Sequence, residues 1–307
     1  MRIAVMGTGG TGGYFGGLLA RAGEEVAFIA RGAHLEAIQK NGLTVNSKLH
    51  GDFKITAEAT DNVREIGTVD CVLFCVKAYD NAEAADQISS LIGPQTTVLS
   101  VQNGIDNEEQ IGSVVGRKHV VGCVSYVSSR IDSPGVIAQT AGPGKMVLGE
   151  MAGGTSPRTE ALHRMLQNSG ITAELHADIQ AALWHKFLAI CGINGVTALT
   201  RLPMGEIVTC EETRAFLRDT MKEVEAVART EGADLPGECL DQTMELFSNL
   251  EPSLRGSMYY DLAAGRRLEL DVLNGKVVDL GRKHGIPTAS NFAIYAALKP
   301  YLYGKPS

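Results

Sequence analysis

A lysine and an asparagine two helical turns apart have the residue types and spacing for proton-transfer chemistry. Lys186 opens a mostly apolar stretch, residues 187–193, and Asn194 follows it. Because an α-helix has about 3.6 residues per turn, both side chains are expected near one helical face. Apolar surroundings would lower the pKa of the lysine toward the range in which an ammonium donates a proton. The alternative is a lysine that extends along the surface at a helix edge.

A second group of polar residues lies in the C-terminal part of the chain. Ser257 and Asp261 are separated by one helical turn, and Glu269 opens the next helical pattern. A carboxylate beside a catalytic ammonium would hold it in position. The alternative is that these charged residues form solvated surface pairs.

Three further polar residues stand where apolar, strand-like runs end. Lys77 follows the run 71–76, Asn103 follows the run 98–102, and Arg31 ends the run 25–30. Ligands of open parallel sheets bind outside the carboxyl ends of the strands, so this placement makes all three candidates for a binding site. Ordinary loop polarity is the alternative.

The chain opens with an element that would position such a site. The turn Gly7-Thr8-Gly9-Gly10-Thr11-Gly12 has the pattern G-x-G-x-x-G and directly follows the apolar run 3–6. In dinucleotide-binding folds the first glycine makes the turn, the second admits the pyrophosphate and the third lets the next helix pack closely. A second strand pattern follows at the distance expected for a βαβ unit. The alternative is a merely flexible glycine-rich turn.

The second strand predicts which dinucleotide is bound. NAD-binding versions of this fold place Asp or Glu about 20 residues beyond the glycines, whereas Arg there suits a 2′-phosphate. Arg31 follows Gly9 by 22 residues, and Glu24 and Glu25 lie at the other end of the strand. We therefore predict NADP(H) as the cofactor, with Arg31 as a solvated loop charge as the alternative.

The remaining pattern predicts an α/β protein: an N-terminal Rossmann-like doubly wound sheet in residues 1–175 and an all-helical domain in residues 176–307. The predicted strands are Arg2–Met6, Val26–Ala30, Asp70–Val76, Thr97–Val101 and Val120–Val127. Residues 133–135 and 142–144 are interpreted as turns between antiparallel strands. The predicted helices of the second half are Asp178–Leu188, Glu211–Glu231, Gly237–Leu250, Leu270–His284 and Ala289–Leu302.

The composition narrows the function classes. With 307 residues, 44% hydrophobic and 21% charged, the chain is typical of a soluble globular protein of about two domains. A net charge of −7 argues against a nucleic-acid surface, and no apolar stretch is judged long enough to span a membrane. Six cysteines without a C-x-x-C pair favour a reducing, cytoplasmic location and no bound metal. The sequence leaves a homodimer open.

Taken together, these motifs resemble the ketopantoate reductase (2-dehydropantoate 2-reductase) family over essentially the whole chain. The resemblance rests on Gly7–Gly12, Arg31, Val76-Lys77, Gln102-Asn103-Gly104, Trp184-His-Lys186, Ile193-Asn194, Ser257-Met258, Asp261, Ala264-Gly265-Arg266, Glu269 and Asn274-Gly275. It implies that Lys186 is the general acid and that Glu269 positions it. It implies cofactor binding by Gly7, Thr8, Gly9, Gly10, Thr11, Gly12, Arg31, Lys77, Asn103, Val127 and Glu269. It implies substrate binding by Asn103, Lys186, Asn194 and Ser257.

Two positions depart from the family pattern. Ile190 and Leu254 stand where the family has substrate-binding asparagines. The resemblance implies NADPH-dependent reduction of 2-dehydropantoate to (R)-pantoate, on the way to pantothenate and coenzyme A. Because lost amides weaken selection for a substrate hydroxyl, an enzyme acting on another 2-keto or 2-hydroxy acid is the first alternative. A non-catalytic NADP-binding sensor is the second.

Overall fold

A computed structural model of the chain describes residues 1–305. Within them the chain folds into two compact units. The first comprises Met1–Gln102 and Asp106–Ala182, and the second comprises Asn103–Ile105 and the chain from Leu183 onward. The boundary between the two units therefore lies inside a helix, after Ala182. The sequence pattern predicts it seven residues earlier, after residue 175.

The first unit is built on one mixed sheet, which has ten strands in the described residues. The strands are β1 Arg2–Met6, β2 Glu25–Ile29, β3 Leu43–Ser47, β4 Phe53–Ile55, β5 Glu58–Thr60, β6 Cys71–Phe74, β7 Thr97–Ser100, β8 Val120–Ser133, β9 Val136–Glu150 and β10 Thr172–Leu175. Their order is β4-β3-β9-β8-β7-β6-β1-β2-β5, with β10 paired to β9. The run β8-β7-β6-β1-β2-β5 is parallel throughout. All five predicted strands are present, and four further strands, β3, β4, β5 and β10, were not predicted from the sequence.

Helices cover both faces of the parallel strands, as their continuous apolar sequences predict. The helices of this unit are α1 Gly10–Arg21, α2 Gly32–Asn41, α3 Asn81–Ile88, α4 Asn107–Val115 and α5 Pro157–Asn168. Along β1 the side chains alternate: Ile3 and Val5 belong to one buried cluster, and Ala4 and Met6 to another. Both faces of β1 are therefore buried, and the glycine turn follows directly at its carboxyl end.

One predicted turn is wrong. Residues 133–135 do turn between β8 and β9, which pair antiparallel, but residues 142–144 lie inside the continuous strand β9. Tyr126 pairs with Lys145 while Ser128 pairs with Ala141, so the extra residues form a bulge. Pro143 cannot donate to the ladder, and Gly142 adopts a φ of 81°; both features produce a local bulge as readily as a turn.

The second unit is helical. Its helices in the described residues are α6 Ile179–Thr200, which starts in the first unit, α7 Met204–Thr209, α8 Glu211–Thr230, α9 Cys239–Ser248, α10 Ser257–Ala263, α11 Asn274–His284 and α12 Ala289–Leu298. Asp178 caps α6, because its carboxylate accepts a hydrogen bond of 3.0 Å from the backbone N–H of Ala181. The predicted helix from Leu270 instead begins at Asn274, so Glu269 lies in an irregular segment before α11.

The expectation that no stretch could span a membrane is also corrected. Helix α6 has 22 residues and a mean hydropathy of 1.2, enough by length and composition alone. Of its most apolar window, 61% is buried within the protein. Phe187, Leu188 and Cys191 are completely or almost completely buried there, so the apolar character of α6 is accounted for by the protein core.

Candidate active site

The glycine turn has the geometry that an approaching phosphate requires. Gly7 adopts a φ of +96°, which favours glycine, and ends β1 in a tight turn. A Cβ on Gly12 would lie 2.2 Å from the carbonyl oxygen of Gly7, so only glycine lets α1 pack this closely. At Gly9, by contrast, no atom of the described residues lies within 4 Å of the Cβ position. The backbone at Gly9 is therefore open to a ligand.

The start of α1 is suited to an anion. Among the described residues, no side chain caps this helix, and its first turn carries no acidic residue. Its terminal N–H groups and helix dipole therefore favour negative charge. The Thr8 hydroxyl donates a 2.9 Å hydrogen bond to the carbonyl of Ile29, which ties the turn to β2. Thr11 lies in the first turn of the helix, partly exposed. These features fit a dinucleotide pyrophosphate.

Arg31 lies two residues beyond the end of β2 and directly precedes α2. Its side chain is 64% exposed, and Nη2 lies 2.8 Å from Oε1 of Glu83 in the first turn of α3. Gln87 donates a 3.0 Å hydrogen bond to the same carboxylate oxygen. No sequence pattern points to Glu83, because it lies 52 residues away from Arg31 in the chain and belongs to no motif.

Lys77 is half-buried in the turn after β6. The side chain of Gln102 donates a 2.7 Å hydrogen bond to the carbonyl of Val76 and a second one to Asn81 Oδ1. Asn81 in turn donates to Asn107 Oδ1 at 2.9 Å. This buried amide network fixes the segment before Lys77 against the end of β7. In the sequence Gln102 is only part of a motif, whereas the structure shows that it positions the segment before Lys77.

Two predicted cofactor residues lie in irregular backbone. Asn103 follows the end of β7 by three residues and belongs to the second unit. Gly104 beside it has a φ of +120°. Val127 lies at the bulge of β8, where its Cα would be 3.1 Å from a Cβ on Gly142, and its side chain packs against the core of the first unit.

In the second unit, one face of α6 carries the proton-transfer candidates. Lys186 is half-buried, and Asn194, two turns later, is 1% exposed. Ile190 lies between them on the same face and, like Ile193, packs against the helical core. The predicted neighbours are therefore on one face, separated by apolar side chains.

The structure brings Asn194 and Ser257 together. Oδ1 of Asn194 accepts hydrogen bonds from the Met258 backbone N–H at 2.9 Å and from the Ser257 hydroxyl at 3.2 Å. A Cβ on Gly256 would lie 2.5 Å from this oxygen, so the glycine is required for the close approach. Asn194 thus supplies the N-terminal cap of α10, whose own preceding residue lacks a side chain.

The two carboxylates of the C-terminal cluster have different surroundings. Glu269 is only 5% exposed, which argues against a solvated surface charge. Asp261 binds Arg266 through a 2.9 Å contact between Oδ1 and Nε; the arginine is largely exposed, but Asp261 is buried, so this is not a fully solvated surface pair. Leu254 is half-buried, and its carbonyl accepts a 2.9 Å hydrogen bond from the backbone N–H of Met204. A buried carboxylate and a half-buried ammonium are the groups that acid catalysis needs.

Comparison with known proteins gives matches along nearly the whole chain. The families described as "Ketopantoate reductase PanE/ApbA" and "Ketopantoate reductase PanE/ApbA C terminal" match residues 3–153 and 178–302. A 2-dehydropantoate 2-reductase of Mesorhizobium japonicum is 32% identical, with 97% of each chain covered. The crystal structure of a PanE/ApbA family ketopantoate reductase from Ralstonia eutropha is 34% identical, with a TM-score of 0.90 over 98% of each chain. A D-mandelate dehydrogenase bound to NADH and anilino(oxo)acetate is 24% identical and has the same fold, with a TM-score of 0.91 over 98% of each chain.

Proposed function

The chain belongs to the ketopantoate reductase family, whose members use NADPH, and we propose that it reduces 2-dehydropantoate to (R)-pantoate. It is an oxidoreductase acting on a CH–OH group. The observation that carries the proposal is the face of α6, where half-buried Lys186 lies two turns from Asn194, which binds Ser257. The family pattern requires these three residues for proton donation and substrate binding.

The proposed chemistry follows from the charge that develops on the substrate. When bound, NADPH supplies a hydride to the ketone carbon. Negative charge then builds on the ketone oxygen, which the Lys186 ammonium stabilises and protonates. The buried carboxylate of Glu269 holds that ammonium in position. Burial strengthens this attraction because water screens it less.

The remaining residues divide between the two ligands. Asn194 and Ser257 bind polar groups of the substrate, and Asn103 serves both the substrate and the nicotinamide end of the cofactor. Lys77 and Arg31 bind the adenosine end, and the pyrophosphate lies on the open backbone at Gly9 and the start of α1. Val127 contributes a backbone contact. We further propose that the reaction serves pantothenate and coenzyme A synthesis in the cytoplasm.

A second candidate substrate is another 2-keto acid. Ile190 lies between Lys186 and Asn194 on α6, where the family pattern has an amide, and Leu254 replaces a second one. An apolar side chain offers no hydrogen bond to a substrate hydroxyl, and this favours a less hydroxylated substrate. The D-mandelate dehydrogenase of the same fold holds NADH and anilino(oxo)acetate, an aromatic anilide of oxalic acid, in its ternary structure.

The test is NADPH oxidation with ketopantoate, 2-oxoisovalerate and phenylglyoxylate, with NADH as the cofactor control. We expect ketopantoate to have the highest kcat/KM. Lys186→Ala should lower kcat at least a hundredfold while NADPH binding, followed by fluorescence, is unchanged, as expected for a general acid (about 10²–10⁴-fold). Lys222→Ala, at an exposed lysine of α8, is the matched control. Full turnover by the Lys186 variant would contradict the mechanism, and absence of turnover with every keto acid would favour the sensor.

A further inference from the structure

A carboxylate faces the arginine that is proposed to read the cofactor's 2′-phosphate. We propose that Glu83 is a cofactor-specificity residue that opposes the 2′-phosphate, so that this chain discriminates less between NADPH and NADH than Arg31 alone would. This inference rests on the proposed NADPH-binding function. It concerns residues of the first unit only.

The geometry places the two charges in direct contact. Arg31 Nη2 lies 2.8 Å from Glu83 Oε1, with the side chains 64% and 61% exposed. The two residues come from different segments, the turn after β2 and the first turn of α3. Gln87, one turn further along α3, donates a 3.0 Å hydrogen bond to the same oxygen and so holds the carboxylate in place. The carboxylate therefore occupies one of the guanidinium's five N–H donors.

The local charge balance on the α3 side is acidic. Between Arg64 and Arg117 the sequence has one basic residue, Lys77, and of the two flanking arginines Arg64 lines a surface cavity together with Asp86 and Gln87. The segment from Lys77 to the end of α3 contains Asp80, Glu83 and Asp86. Because the pairing with Glu83 neutralises Arg31, the net positive charge that a phosphate dianion requires is reduced at this edge of the sheet.

The Arg31–Glu83 pair affects the binding of a 2′-phosphate and of a 2′-hydroxyl differently. Arg binds phosphate most strongly through two parallel N–H donors, and Glu83 competes with the phosphate for one of the donors that can form such a pair. The carboxylate also repels the dianion. A neutral ribose hydroxyl meets no repulsion, and a carboxylate is the usual partner of the 2′-hydroxyl in NAD-binding folds. The pair therefore lowers the affinity for NADPH without lowering the affinity for NADH.

The experiment isolates the adenosine end with two half-cofactors. The dissociation constants of 2′,5′-ADP and 5′-ADP are measured by calorimetry at low salt for the wild type and for Glu83→Gln, which removes the charge and keeps the shape. We expect the preference for 2′,5′-ADP to rise about two- to fivefold, the effect of one charge at an exposed site. This gain should shrink in 0.5 M salt, because the Debye screening length falls to about 4 Å there. The matched control is Glu109→Gln, which changes an exposed glutamate of α4 that pairs with Arg117. It should leave the preference for 2′,5′-ADP unchanged.

An unchanged preference in Glu83→Gln would overturn the inference. A lowered preference would also overturn it, since Glu83 would then be holding Arg31 in its phosphate-binding position. Arg31→Ala separates this outcome from failure of the proposed function. If Arg31→Ala lowers the preference but Glu83→Gln does not raise it, only the role of Glu83 fails. If Arg31→Ala leaves the preference unchanged, the 2′-phosphate assignment itself fails.

Discussion

The Asn194 side chain binds the Ser257 hydroxyl across 63 positions of sequence, with 3.2 Å between the two oxygens. The same amide oxygen accepts the Met258 backbone N–H, so one buried side chain of α6 caps α10. Asn194 and Ser257, which the sequence predicts only as two substrate-binding residues, therefore also link α6 to α10. Because this oxygen already accepts two hydrogen bonds, we expect the substrate to meet the amide nitrogen of Asn194, which donates to an acceptor group.

This link between α6 and α10 predicts that substitutions of Asn194 and of Ser257 have different effects. Asn194→Ala leaves the buried Met258 N–H without its acceptor and removes the helix cap, which should cost about 1–3 kcal/mol of unfolding free energy. Ser257→Ala removes one long hydrogen bond at an exposed residue, so the unfolding free energy should change little while KM for the keto acid rises. Urea unfolding and substrate titration measure the two quantities. Equal losses of stability in both variants would contradict the capping role.

The glycine turn allows a matched pair of substitutions. Gly12→Ala drives a methyl group to within 2.2 Å of the Gly7 carbonyl oxygen, so the helix must shift and the protein should lose about 1–3 kcal/mol of stability. Gly9→Ala adds its methyl group in open space and should leave the melting temperature nearly unchanged. It should nevertheless weaken NADPH and NADH binding alike, because both carry the pyrophosphate. Unchanged binding in Gly9→Ala would place the phosphates elsewhere.

Ile190 gives a prediction on substrate choice. Ile190→Asn puts back the amide of the family pattern one turn after Lys186. It should raise the ratio of kcat/KM for ketopantoate over 2-oxoisovalerate about fivefold, the value of roughly one hydrogen bond of 1 kcal/mol. Leu250→Asn, partly buried against the same helical core, is the control for a general effect of a new amide. An unchanged ratio would mean that this position does not contact the substrate hydroxyl.

A buried carboxyl in the first unit predicts how stability varies with pH. Glu108, in the first turn of α4, is 4% exposed, and its two oxygens have no hydrogen-bond partner among the described residues. Burial raises the pKa of this carboxyl to about 7 from its usual 4.5. It outweighs the nearby Ser100 hydroxyl and the backbone N–H of Glu108, which favour the charged form although neither makes a well-formed hydrogen bond to the carboxyl. Below pH 4.5 the group is protonated in both the folded and the unfolded state, so it costs nothing. As the pH rises toward 7, the unfolded state alone ionises and stability is lost.

The measurement is the unfolding free energy in urea at pH 4, 5, 6, 7 and 8. Glu108→Gln, which is neutral throughout, should lack this loss, at most about 3 kcal/mol for a shift of this size. The difference between wild type and variant should therefore change between pH 4.5 and 7 and level off above. A difference independent of pH would show that Glu108 ionises normally in the folded protein.

Local sequence patterns were sufficient for the elements that carry the site. The apolar runs before Gly7, Lys77 and Asn103 are short and continuous, and buried parallel strands require such runs whatever surrounds them. The spacing of Lys186 and Asn194 fixed their common helical face in the same way, because the helical repeat is set by the backbone. Local sequence patterns gave a wrong prediction where glycine and proline fit both a turn and a β-bulge. The segment 142–144 became a bulge rather than a turn, since the pairing partner β8 decides between them.

The sequence by itself determined the fold class, the anion-binding turn and the residue types available for proton transfer. The tertiary structure alone decided which of these side chains meet. Glu83 faces Arg31 across 52 residues, Asn194 caps a helix 63 residues away, and Glu269 is buried rather than solvated. Periodicity and spacing report only the few residues that a single helix or strand holds in register. Contacts between segments distant in sequence depend on how whole elements pack, and packing is a property of the folded chain.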